Sequence, residues 1–157
     1  MDPVTIVGTT SAVADIIGLI SKTITSLRAL HAKWRDADFT ILNLITQLTA
    51  LRAALDKISE WISSDLAGNP KHHQLVIDLE DSITCCTMLT RAIDDKLSKL
   101  GWSEDSTLDF ESRIRVVFED KTSKDFQIFI ERQTNALTLL LVACSWFMLP
   151  SSPSELY

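Results

Sequence analysis

Hydrophobic residues recur along most of the chain at intervals of three and four, the period of an α-helix with one buried face. Ile6, Val13, Ile17, Ile20, Ile24, Leu27 and Trp34 fall on one side of a first segment, which predicts an amphipathic helix over residues 3–34. Its opposite side collects Gly8, Ser11, Ala12, Asp15, Gly18 and Lys22, so the polar side of its first half is also a small-residue side. Asp36 and Asp38 mark a break and an N-cap. After them Ile41, Leu44, Leu48, Leu51, Leu55, Ile58 and Ile62 alternate by three and four, the clearest helical stripe in the chain. Gly68-Asn69-Pro70 ends that helix and starts the next, because Gly suits the position after a helix, Asn caps and Pro fits a first turn.

A third helix is predicted over residues 71–100, with Leu75, Leu79, Ile83, Cys86, Ile93, Leu97 and Leu100 inward and Gly101 closing it. Ser103 to Thr107 reads as a polar connection, followed by a shorter helix carrying Leu108, Ile114, Val117 and Phe118. Thr122-x-x-Asp125 resembles a capping box for a final helix with Phe126, Phe129, Ile130, Leu137, Leu140, Leu141 and Cys144, ending before Pro150. Helices of about 30 residues are about 45 Å long, so they should lie side by side. The expected fold is all-α: an elongated antiparallel bundle of four to five helices, forming one domain over residues 1–149, with 150–157 the start of a linker or tail.

Composition narrows the class. The 157 residues are 46% hydrophobic but include only four glycines and four prolines, too few for the frequent turns of a β-sandwich or barrel. Gly8, Gly18, Gly68 and Gly101 stand apart and open no phosphate-cradling loop, which disfavours nucleotide chemistry. The net charge of −6 disfavours nucleic acid; Arg113, Arg115, Lys121 and Lys124 cluster, but Glu111, Glu119, Asp120 and Asp125 interleave them. Three cysteines, two of them adjacent, make no disulfide framework and suggest a reducing compartment.

The charge-poor N-terminus fits neither a signal peptide nor a constitutive membrane span. It begins Met-Asp-Pro without a basic n-region, and Thr9, Thr10 and Ser11 interrupt any apolar run before Ala12 and Ala14. Val4, Ile6, Val7, Val13, Ile16, Ile17, Leu19 and Ile20 favour insertion by about 3–4 kcal/mol in total, while Asp15 alone opposes it by about 3 kcal/mol. The run from Ala136 to Leu149 is too short to span and reads as a core helix.

No catalytic or metal pattern emerges. His72 and His73 lack a ligand at helical spacing and read as first-turn residues; His31 lies on the apolar side of its helix without a nucleophile motif beside it. Trp34, Trp61, Trp102 and Trp146 fall at or near helix ends, where packing accounts for them. The chain reads as a non-enzyme that needs no cofactor.

The exception to ordinary bundle chemistry is the outer side of the first helix. Two glycines inside a helix cost about 1 kcal/mol each relative to Ala. One account is close helix packing within the folded bundle. The other is a helix that leaves the bundle and packs against copies of itself in a membrane, with Asp15 facing a shared aqueous lumen.

Three stretches carry a family resemblance: the opening MDPVTIVGTTSAVADIIGLISKTI, the run ILNLITQLTALRAALDKI, and the late block RIRVVFEDKTSKDFQIFIERQTNALTLLLVAC, with Gln133, Ala136, Leu137, Leu139, Leu140 and Leu141. Together they resemble the HeLo-like N-terminal domains of fungal NOD-like and ankyrin-repeat STAND proteins, over most of residues 1–149. The resemblance implies a cell-death effector, similar in logic to other helical-bundle executioners, that on oligomerisation targets and permeabilises membrane through its N-terminal helix. Carried onto this chain, the inserting and self-associating candidates are Val4, Ile6, Val7, Gly8, Ala12, Val13, Asp15, Ile16, Ile17, Gly18 and Ile20. The implied partners are anionic membrane lipids, further copies of the chain and a downstream sensor or receptor domain. The implied location is cytoplasmic, with relocation to the plasma membrane. Because no nucleotide-binding core and no amyloid-type tail are present, a stand-alone domain or a fragment is expected. The competing expectation is an oligomerisation or adaptor module without membrane activity.

Overall fold

The computed structural model describes residues 3–33, 39–65, 73–100 and 121–147, and every element among them is a helix. Helix α1 spans Pro3–Lys33, α2 Phe39–Asp65, α3 His73–Ser98 and α4 Lys121–Phe147, each about 40–46 Å long at 1.5 Å per residue. They form an all-α helical bundle. The predicted short helix around Leu108–Phe118, Gly68, Gly101 and the Asp36/Asp38 break lie outside the described residues.

Polar contacts orient the helices. Arg52 on α2 reaches Ser21 on α1, twelve residues before the end of α1 and thirteen after the start of α2, so these two run antiparallel. Lys22 pairs with Asp94, while Gly8, Thr9 and Ala12 face Glu80, Ile83 and Thr84, so α1 and α3 ascend together. Near the starts of α2 and α4, Asn43 donates to Gln127 at 2.9 Å; Lys96 near the end of α3 sits 5.5 Å from the Phe126 ring near the start of α4. Consecutive helices thus alternate in direction, but α1 packs chiefly on α2 and α3, and α4 packs on the same two. The lateral neighbours α1/α3 and α2/α4 are parallel, and α1 lies diagonally across from α4.

One apolar core fills the centre. From α1 it takes Val13, Ile16, Ile20, Ile24, Leu27 and Leu30. The predicted stripe of α2, from Ile41 to Ile62, is buried throughout, joined by Ile45, Ala54 and Trp61. Helix α3 supplies Leu79, Ile83, Cys86, Ile93 and Leu97, with Leu100 just beyond its end; Thr90 completes that face by donating to the Cys86 carbonyl at 2.8 Å. Its last turn tightens as Leu100 N–H bonds to the Leu97 carbonyl at 3.2 Å.

Three expectations need correction. On α1 the fully buried isoleucine is Ile16, and Ile17 is only partly covered at the edge of the core; with Ile16, Ile17, Leu19 and Ile20 crowded together, periodicity alone does not choose among them. On α4, Phe129 is exposed at 45%, because this helix touches only α2 and α3 and carries apolar residues around its circumference. Helix α4 also includes Lys121, so Thr122 lies inside the first turn and is not its N-cap.

Candidate functional site

The candidate segment of α1 divides between two environments. The backbone at Val4, Ile6 and Val7 is helical. Further along, Val13, Ile16 and Ile20 are buried in the core, and Ile17 packs against its edge. Gly8, Asp15 and Gly18 are exposed, and Ala12 is half-buried, touching the core rather than standing in solvent. At rest, then, only the small and acidic residues of the segment face outward, while the described apolar ones are committed to the bundle.

The glycines settle one question about that outer side. A methyl group built on Gly8 or Gly18 meets no atom within 4 Å. Close helix packing inside the bundle therefore does not account for either residue, and alanine would fit at both positions. Asp15 stands exposed one turn from Gly18 and takes part in no hydrogen bond or ion pair among the described residues.

Beside the first turns of α1 a cleft of about 240 Å³ separates it from α3, lined by Gly8, Thr9, Ala12, Glu80, Ile83 and Thr84. Further along, both neighbouring helices reach α1 at consecutive residues. Arg52 Nη1 donates to Ser21 Oγ at 3.5 Å, and Lys22 Nζ lies 3.9 Å from Asp94 Oδ2. Next to this level Thr23 is buried, and its hydroxyl donates to the Leu19 carbonyl at 3.0 Å, so its burial leaves no unmet polar group. Sequence reading missed Arg52, Asp94, Glu80 and Thr84 as neighbours of α1, because nothing in a helical period says which helix pairs with which, or in what register.

Other candidates resolve more simply. His31 is half-buried at the end of α1, His72 lies outside the described residues, and Trp61 is buried as a packing residue at the end of α2. Burial, reinforced by the adjacent Cys85, pushes the Cys86 thiol up from 9.0 to about 12, which keeps it protonated and unreactive as a nucleophile at neutral pH. Among the described residues no group of three His, Cys, Asp or Glu side chains is placed to hold a metal ion, and no helix is long and apolar enough to cross a membrane.

Compared with protein-family models, curated proteins and solved structures, the chain matches none.

Proposed function

We propose that this bundle is a HeLo-like cell-death effector domain that, once clustered, targets and permeabilises a membrane through the N-terminal part of α1. One observation carries the reading: Gly8 and Gly18 face open space on a helix where the resting bundle gains nothing from them. Small residues on a helix allow close approach of another backbone, which in a lipid environment is a principal source of helix association. Asp15, on the same outer side, then faces a shared lumen, where an acid is tolerable and attracts cations. The domain acts from the cytoplasm and relocates to the plasma membrane. Its partners are anionic lipid, further copies of itself and a downstream sensor.

Energetics require a trigger. Each fully buried Val, Leu or Ile contributes about 1.5–3 kcal/mol, so withdrawing all six core residues of α1 costs on the order of 9–18 kcal/mol, as much as the whole stability of a typical domain. Freeing the helix only as far as Gly18 exposes Val13 and Ile16, about 3–6 kcal/mol. Lipid contact and clustering are able to offset the smaller figure. The test is dye release from phosphatidylcholine/phosphatidylserine vesicles by the chain clustered on a multivalent scaffold. Leakage is expected with the intact chain and not after deletion of residues 2–20; undiminished leakage from the deletion variant overturns the proposal.

A second reading, an oligomerisation or adaptor module without membrane activity, draws on a different feature. The heptad-like face of α2 is consumed by its own core, but α4 presents Ile128, Leu139 and Val142 to solvent. Self-association in solution with no lipid binding in flotation selects this reading over the first.

A further inference from the structure

We infer that α1 is built in two parts with a boundary at residues 18–22, so that the bundle opens by releasing residues 3–18 while residues 22–33 remain packed. The proposed membrane activity rests on α1 being releasable; the boundary deepens that reading by stating how much of the helix leaves and which contacts hold the rest.

Four observations converge on the same turn of helix. On the N-terminal side, the cleft beside Gly8, Thr9 and Ala12 leaves the first turns incompletely closed on α3. Of the described side chains before Val13, only Thr9 is buried, so detachment from this end meets the core late. Gly18 then interrupts the helix with a residue of low helix propensity, exposed and with room around it, where a backbone bend strains no neighbour. Immediately after it, Arg52 from α2 and Asp94 from α3 hold Ser21 and Lys22 from two sides, and Ile24, Leu27 and Leu30 follow in unbroken register with the core. Loose packing, a weak point in the backbone and a two-sided clamp thus occur in the order an opening segment requires. A surface ion pair such as Lys22–Asp94 adds little stability by itself. Its part here is positional: it marks where α1 engages both neighbours.

A released helix of this length is marginal in water, so release appears as loss of amide protection. Native-state hydrogen exchange followed by mass spectrometry on the full chain, without lipid, reads it directly. Residues 5–17 are expected to exchange at least about tenfold faster than residues 24–33, with the step near Gly18. Gly18→Ala, by favouring helix at the weak point, should slow exchange of the first part up to about fivefold and leave the second unchanged. Arg52→Ala combined with Asp94→Ala should carry fast exchange past residue 22. Equal protection along the whole of α1, or a step elsewhere that none of these substitutions moves, overturns the inference. The two proposals fail separately. An exchange step in a chain that never leaks dye leaves the two-part helix standing without its membrane role, and clustered leakage with uniform protection does the reverse.

Discussion

The outer side of α1 is where single residues say most. Gly8 and Gly18 cost helix stability without serving the resting core, so alanine at either should raise the free energy of unfolding by about 0.5–1 kcal/mol in urea titrations. If the same substitutions reduce vesicle leakage, the glycines were retained for contact in another state. Asp15→Asn should leave vesicle binding intact and lower the cation preference of any conductance, measured as a reversal potential across a planar bilayer under a salt gradient. Cys86 offers a third check. Its folded-state pKa is raised, so the stability it supports is present below 9.0 and is lost as the pH climbs toward about 12, by about 1.4 kcal/mol per unit. Urea melts at pH 8 and 10.5 should show this loss in the native chain and a smaller one in Cys86→Ala.

At the level of elements the four helices contribute unequally. Helix α2 is the central pillar, contacting α1 on one side and α4 on another with its whole stripe buried, whereas α4 places only Ile130 and Leu137 fully inside. Leu48→Ala on α2 should therefore cost about 2–5 kcal/mol, and Leu139→Ala on the outside of α4 less than about 0.5 kcal/mol, both read by chemical denaturation. The sequence pattern anticipated this for α2 and α3, since every stripe residue placed inward and described is buried. It was ambiguous for α1 and α4 for a shared reason. Where apolar residues are consecutive, as at Ile16–Ile17 or Leu139–Leu141, a period of 3.6 does not distinguish the covered side from the bare one.

At the scale of the molecule, one continuous core joins all four helices, so tryptophan fluorescence and far-ultraviolet circular dichroism should report a single coincident unfolding transition. The exchange-labile front of α1 is compatible with that, because local opening precedes global unfolding without being resolved by either probe. What amino-acid order determined by itself was local: four long helices, the stripes of α2 and α3, and a charge-poor small-residue side on α1. Each follows from neighbours three and four positions apart. What only the tertiary structure decided was non-local. The pairing of α1 with α3 in parallel brought Glu80, Thr84 and Asp94 beside a helix about 70 residues distant in sequence. The open space around Gly8 and Gly18 likewise depends on which helices stand next to α1 and how near. Helical periodicity orients a face toward a core but carries no information about the partner across it, and it is that partner, or its absence, which gives the glycines their meaning.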